Sequence, residues 1–258
     1  MKAGALFDLT GAAALVTGAS SGLGARFARV LAANGAHVVC VARRKERLDA
    51  LVSQIAADGG KAVACAADVS DEAAMGAAFD VAMDLRANQL ITVNNAGLAH
   101  SGNALDQPRE VWAQTMKIDL DSVYFNAQMA AQRMVAAKLP GSIINTASIL
   151  GLNPSFSLSA YSVAKAGVIH LTRALAIEFA RHNIRVNAIA PGYFVTEMNG
   201  DFLRSERGQT MTRAVPLGRF GAEGDLDGVL LLLASKAGAF ITGATYVADG
   251  GQSVQLKA

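Results

Sequence analysis

Ala12-Ala13-Ala14-Leu15-Val16-Thr17-Gly18-Ala19-Ser20-Ser21-Gly22-Leu23-Gly24 is the stretch that decides the fold. Its first six residues form an apolar run of strand length that stops at a glycine cluster, the pattern of a parallel strand buried on both faces. Residues 22–34 then carry helical spacing and close on Asn34-Gly35, a stop that uses glycine's tolerance of left-handed backbone. The same step returns outward along the chain. Val38-Val39-Cys40-Val41 precedes a charged helix from Lys45, Ala62-Val63-Ala64-Cys65 precedes a helix from Ser70, and Leu90-Ile91-Thr92-Val93 leads to another glycine. Further strands are read at residues 142–145, 184–189 and 245–247. Seven strands separated by helices predict an α/β fold with a doubly wound, parallel, seven-stranded sheet, because parallel neighbours need crossover connections that cover both faces.

The 258 residues hold 52% hydrophobic and 17% charged residues, enough apolar material for a two-sided core and too little charge for disorder. With no repeat and no long linker, residues 1–258 read as one domain. The formal net charge of +2 argues against an electrostatic nucleic-acid partner. Asp8 interrupts the N-terminus before a signal-length apolar run, and no apolar stretch is long enough to span a membrane, so a cytoplasmic protein without a membrane partner is expected. Cys40 and Cys65 read as small apolar residues on strands, and no metal site is expected. The least regular stretch, residues 193–216, follows a strand end and is a candidate lid over a substrate.

Three features carry chemistry. Gly18, Gly22 and Gly24, with Ser20, Ser21 and Leu23 between them, form a turn that lets backbone approach a pyrophosphate at the start of the next helix. At the end of the second strand, Ala42 stands where an acidic residue would accept from a ribose hydroxyl, and Arg43 and Arg44 follow. Arginines there suit a 2′-phosphate, so NADP(H) is favoured, with NAD(H) admitted. Third, Tyr161 and Lys165 stand four apart in a helical stretch, residues 160–182, and so share a face. A phenol is a poor base at neutral pH unless a cation favours its phenolate, and Lys165 supplies one. Such a phenol could exchange a proton with a secondary alcohol or ketone while hydride moves at the same carbon. Ser148, after the strand at 142–145, could hydrogen-bond the substrate oxygen.

These residues resemble the short-chain dehydrogenase/reductase family in its form of about 250 residues. The resemblance spans nearly the whole chain: the glycine turn Thr17 to Gly24, Asp68-Val69, Asn94-Asn95-Ala96-Gly97, Ser148, Tyr161 with Lys165, Pro191-Gly192 with Thr196, and Asp249-Gly250-Gly251. It implies a Rossmann fold with strand order 3-2-1-4-5-6-7, commonly a homotetramer with the Tyr161 helix at one interface, or a homodimer. By resemblance, Asp68 and Val69 hold the adenine; Asn94, Ala96 and Gly97 line the adenosine ribose side. Pro191, Gly192, Thr196 and the backbone near Phe194 meet the nicotinamide amide or phosphates. Lys165 binds the nicotinamide ribose, Tyr161 exchanges the proton and Ser148 orients the carbonyl.

One departure stands out. Relatives usually read Val-Asn-Leu in the helix before the serine strand, and this chain reads Ile118-Asp119-Leu120, which puts an aspartate at the family's fourth catalytic position. Because the family's asparagine works largely through its main-chain carbonyl, the expectation is that the side-chain change leaves turnover and its pH profile intact. If the carboxylate instead reaches the water linked to the lysine, it favours charged Lys165 and proton supply differs from that of a typical relative.

The expected partner is a small-molecule ketone or secondary alcohol, medium-sized and partly apolar given His100, Leu150, Leu152, Asn153, Tyr193 and Met198 near the pocket. The alternative is a 3-oxoacyl thioester on an acyl carrier protein or coenzyme A, for which Arg133, Lys138 and Arg173 offer basic charge. A non-enzymatic alternative is a nucleotide-sensing Rossmann protein, whose sign would be loss of the tyrosine or lysine.

Overall fold

The computed structural model describes residues 3–195 and 205–255. A short helix α1 (Ala3–Leu6) leads into the alternation: β1 (Ala12–Thr17), α2 (Gly22–Ala33), β2 (His37–Ala42), α3 (Lys45–Ala57), β3 (Lys61–Ala66), α4 (Glu72–Asp84) and β4 (Gln89–Asn94). Next come α5 (Arg109–Met116), α6 (Ser122–Ala136), β5 (Gly141–Thr146), α7 (Ser159–Phe179), β6 (Ile184–Pro191), α8 (Glu206–Arg213), α9 (Asp227–Ala234) and β7 (Thr245–Ala248). The strands form one parallel sheet in the order β3-β2-β1-β4-β5-β6-β7, as the alternation and the resemblance predict.

Why β1 reads as an unbroken apolar run is visible in its side chains. Ala12, Ala14 and Val16 pack on one face with Phe27 and Leu31 of α2, Leu48 of α3 and Leu230 of α9. Ala13 and Leu15 pack on the other with Met75 and Phe79 of α4, Ala130 and Met134 of α6, and Leu175 of α7. Successive strand side chains point to opposite faces, so a strand covered on both sides has no polar positions to spare. Phe79 is fully buried, and Phe79→Ala is expected to cost about 3–5 kcal/mol of stability in urea unfolding.

Local signals set the element ends with small differences from the sequence reading. The helix expected from Ser70 starts at Glu72, because the Asp71 side chain accepts from the Ala74 N–H and caps it there. The stretch expected as one helix over residues 160–182 is α7 followed by a tighter turn at Ala180–His182, ended by left-handed Asn183. Part of the irregular stretch at 193–216 is helical: Ser205 accepts from the Gly208 N–H and starts α8, whose threonines and glycine conceal it from propensity. No helix among the described residues is long and apolar enough to cross a membrane.

Candidate active site

The sheet order places the carboxyl ends of β1 and β4 side by side, while α2 lies on one face and α6 on the other. Ligands of doubly wound sheets bind in the crevice such a switch leaves. Thr17, the last residue of β1, stitches this crevice together. Its Oγ1 accepts from the Asn95 N–H at 2.9 Å and the Ala96 N–H at 3.1 Å, and its carbonyl accepts from Asn95 Nδ2 at 3.1 Å. The β4 loop is therefore pressed onto the glycine turn. Gly18 has φ +67°, and a Cβ there would stand 2.9 Å from Ala96 Cα; a Cβ on Gly24 would run into the Gly18 carbonyl oxygen and lie 2.5 Å from Asn95 Nδ2. Gly22 has φ +53°. Two of the three glycines thus serve close packing of protein backbone, and the third a conformation that side chains disfavour.

Ser21 precedes α2 in extended conformation and its side chain does not cap the helix, which leaves the first-turn N–H groups of α2 facing the crevice without intrahelical partners. Arg44, the residue before α3, reaches back to this turn: Nη2 lies 2.7 Å from Ser20 Oγ and 3.1 Å from Ser21 Oγ. Neighbouring Arg43 is exposed. Across from it, Asp68 Oδ1 accepts from the Ser70 N–H at 2.9 Å and Ser70 Oγ at 2.8 Å. Those bonds, helped by the positive charge of Arg43 and Lys117, hold its carboxyl below the usual range despite partial burial. Val69 beside it packs against the core under α4.

Asn94 is only 2% exposed. Its Nδ2 donates to Asn145 Oδ1 at 2.9 Å, and Asn145 Nδ2 donates to Thr172 Oγ1 at 3.0 Å, a buried polar line joining β4, β5 and α7. What Asn94 offers a ligand is therefore main chain. Asn145 and Thr172 were not singled out from sequence, since a buried amide on a strand has no local signature.

At the end of β5, Ser148 starts a short turn, Ile149–Gly151, by accepting from the Leu150 N–H at 3.1 Å. That turn lies directly against α7, because a Cβ on Gly151 would stand 2.6 Å from the Lys165 carbonyl carbon. The turn that Ser148 starts is thereby packed against the part of α7 that carries Lys165. Lys165 is 3% exposed; its Nζ donates to the Thr146 carbonyl at 3.0 Å and lies 5.5 Å from the Tyr161 ring centroid.

Asp119 enters the same cluster by its side chain. It sits on a widened π-type turn, Lys117–Asp121, between α5 and α6, a distortion that recurs at functional sites. Fully buried, its Oδ1 lies 3.2 Å from Lys165 Nζ, and both carboxylate oxygens are 3.3 Å from the Leu98 N–H. The carboxylate thus contacts the lysine directly, beside whatever the main chain contributes. Burial pushes its carboxyl above the usual range, against the opposing pull of Lys165, the Leu98 N–H and His100. Gly97 lies over the pair: a Cβ there would stand 2.5 Å from Asp119 Oδ1 and 3.4 Å from Lys165 Nζ. With Ala96 it borders the crevice.

Past β6, the Gly192 N–H donates to the Ala248 carbonyl at 3.0 Å, and Gly192 packs so tightly on Asp249 that a Cβ would stand 2.7 Å from the Asp249 Cβ. Pro191 ends the strand and is buried. Phe194 is buried against Gly221, the Val195 N–H donates to the Gly221 carbonyl at 3.0 Å, and the Tyr193 and Phe220 rings meet edge to face at 5.8 Å. The stem of the expected lid is anchored in this way; Thr196 and Met198 lie outside the described residues. The opposite wall is tied by Asn153 Nδ2 to the Ser253 carbonyl at 2.9 Å, while His100 is exposed.

Two of the basic residues considered for a carrier-protein partner, Arg133 and Lys138, are not at this mouth. Arg133 occupies the last turn of α6, bonded to Asp80 Oδ1 at 2.8 Å and to the Gly76 carbonyl at 3.0 Å. Crossover helices run antiparallel to their strands, so Arg133 and Lys138 lie toward the amino end of β5, opposite the crevice.

Comparison with known proteins agrees with this fold. The family model described as enoyl-(acyl carrier protein) reductase, of the short-chain alcohol dehydrogenase type, matches residues 18–253. A galactitol 2-dehydrogenase (L-tagatose-forming) of Cereibacter sphaeroides is 39% identical over 96% of this chain and 98% of its own. The crystal structure of a short-chain type dehydrogenase/reductase from Mycobacterium marinum superposes with TM-score 0.91 at 37% identity, covering 97% of this chain and 98% of that one. A gluconate 5-dehydrogenase from Burkholderia cenocepacia, solved in complex with NADP and tartrate, superposes with TM-score 0.92 at 32% identity, covering 99% of this chain and 100% of that one. With its strand order, its glycine turn and its tyrosine and lysine on one helix, the chain belongs to the short-chain dehydrogenase/reductase family.

Proposed function

We propose that this protein is an NADP(H)-dependent oxidoreductase that interconverts a secondary alcohol and a ketone on a small hydroxylated molecule, with Tyr161 as the proton-exchanging group. What supports the reading is the Lys165 ammonium 5.5 Å from the Tyr161 ring on α7, with the turn that Ser148 starts packed against the Lys165 backbone.

The residues present fit a dinucleotide. Unpartnered N–H groups at a helix start suit a pyrophosphate, and the Arg44 guanidinium above Ser20 and Ser21 suits a phosphate on the adjacent ribose. Asp68 and Val69 border the adenine end, the main chain of Asn94 with Ala96 and Gly97 borders the ribose, and the Pro191 to Phe194 segment borders the nicotinamide. When bound, the nicotinamide accepts or delivers the hydride. In the oxidative direction the substrate C–O–H proton passes to Tyr161 Oη, the C–H bond gives up its electron pair as hydride, and a carbonyl remains; reduction runs these transfers backwards. Ser148 Oγ holds the substrate oxygen, which gathers negative charge. Lys165 supplies positive charge beside the phenol.

The names of relatives, among them galactitol 2-dehydrogenase, gluconate 5-dehydrogenase and 3β-hydroxysteroid dehydrogenase 1, support a secondary hydroxyl as the reacting group and favour a polyol or sugar acid. Assay of galactitol, D-gluconate, a 3β-hydroxysteroid and a 3-oxoacyl thioester with each nicotinamide cofactor tests the reading; turnover only with the thioester overturns the substrate class, and none with any alcohol or ketone overturns the reaction. For the cofactor, Arg43→Ala with Arg44→Ala is expected to weaken NADPH about 30-fold or more and NADH less than about threefold in fluorescence titration. Equal losses would reject the phosphate role.

A further inference from the structure

Lys165 is asked to supply charge to the reaction, yet in this chain it is already paired. Its ammonium stands between the Thr146 carbonyl and a carboxylate that is wholly buried, with the backbone of Gly97 closing over both. We infer that Asp119 is a positioning residue: its carboxylate holds the Lys165 ammonium and offsets its charge, so this pair sets the pH at which alcohol oxidation switches on. The inference rests on the assignment of Tyr161 and Lys165 made under Proposed function.

Three observations support it. The ion pair is dry on both sides, with side-chain exposures of 4% for Lys165 and 0% for Asp119, and a dry pair is weakly screened by solvent. The carboxylate is held from a second direction by the half-buried Leu98 N–H, so swinging away would cost that bond. And there is no room for a larger neighbour, since even a Cβ on Gly97 would crowd Oδ1. The charged groups acting on Asp119 among the described residues are Lys165 from α7 and His100 from the β4 loop; the remaining contacts are the Leu98 N–H and uncharged backbone. An asparagine would keep the shape and could still accept from Leu98. It would leave the full ammonium charge acting on its surroundings, Tyr161 included.

The sign follows. An unopposed ammonium puts more positive potential at the reacting end of α7 than a paired one does, so Asp119→Asn moves the rise of alcohol oxidation with pH toward lower pH. NADPH affinity changes less than about threefold, since the lysine stays in place. A purely structural role would alter rates at every pH alike and leave the midpoint where it was.

A second measurement does not depend on turnover. A carboxyl whose folded-state proton affinity is raised by burial takes up a proton on folding between the ordinary aspartate range and its own higher midpoint, so stability conferred by its protonation is present at low pH and lost as pH rises. Wild type should therefore gain in stability relative to Asp119→Asn as pH falls from 8 to 5, read by urea unfolding. Superimposable pH–rate profiles for the two proteins overturn the inference while leaving the Tyr161 reaction intact. Absence of turnover in wild type overturns the reaction, and urea unfolding of Asp119→Asn, Lys165→Met and the double variant then decides the pair: additive losses reject it, non-additive losses retain it.

Discussion

Tyr161→Phe is expected to lower turnover by about a thousandfold or more while NADPH binding stays within about threefold. The substitution removes one oxygen and nothing else that packs. The ring stays on the first turn of α7, beside the Lys165 ammonium 5.5 Å from its centroid, and the buried line from Asn94 through Asn145 to Thr172 that fastens α7 to the sheet is untouched. Neither the glycine turn nor Arg44 feels the change. What is lost is the group that takes the hydroxyl proton, and no other phenol among the described residues shares a helix face with a lysine at this site. Steady-state rates with the best alcohol of the panel, beside a fluorescence titration of NADPH, separate the two quantities. Turnover retained within tenfold would end the assignment of Tyr161 as the acid and base, because a water-mediated substitute rarely recovers the full effect of general acid–base catalysis, about 10²–10⁴-fold.

The second large effect is expected at Gly24. Its hydrogen faces the Gly18 carbonyl oxygen and Asn95 Nδ2, with no space for a methyl group. Gly24→Val must push α2 away from the turn or break the Asn95 bond to the Thr17 carbonyl, and either motion displaces the first-turn N–H groups and the serines that Arg44 contacts. NADPH affinity is expected to fall about 100-fold or more, with about 2–3 kcal/mol of stability lost to overpacking. Gly59→Ala is the control, since a Cβ there meets nothing within 4 Å; its positive φ of 83° costs backbone strain without touching the crevice. If Gly24→Val bound NADPH like wild type, the helix start would not be the phosphate cradle. Titration at a temperature well below the unfolding midpoint keeps the affinity loss separate from the stability loss.

Much of this architecture was legible in the chain before folding. Ala12 to Gly24 announces strand, turn and helix because each signal is local: an apolar run, glycines, then helical spacing. Tyr161 and Lys165 were legible for the same reason, since four residues on a helix is one turn. The helix α8 was hidden because Thr210, Thr212 and Gly208 speak against it, and only the cap at Ser205 starts it. The glycine motif was legible as a motif, though not in its physical cause. Gly18 and Gly24 are demanded by Ala96 and Asn95, residues about 70 positions away that arrive with β4.

By itself, then, the order of residues determined the alternation of strands and helices, the parallel sheet that alternation requires, and the tyrosine-lysine face. Only the tertiary structure decided what the lysine meets. Asp119 lies 46 positions before Lys165, and the two touch because β4, the widened turn before α6, and α7 converge at one end of the sheet. The same convergence sends Arg133 and Lys138 to the opposite end. Periodicity reports which face an element buries. It carries no information about which distant element will cover that face, and it is the covering element that strips water from Asp119 and makes its charge matter.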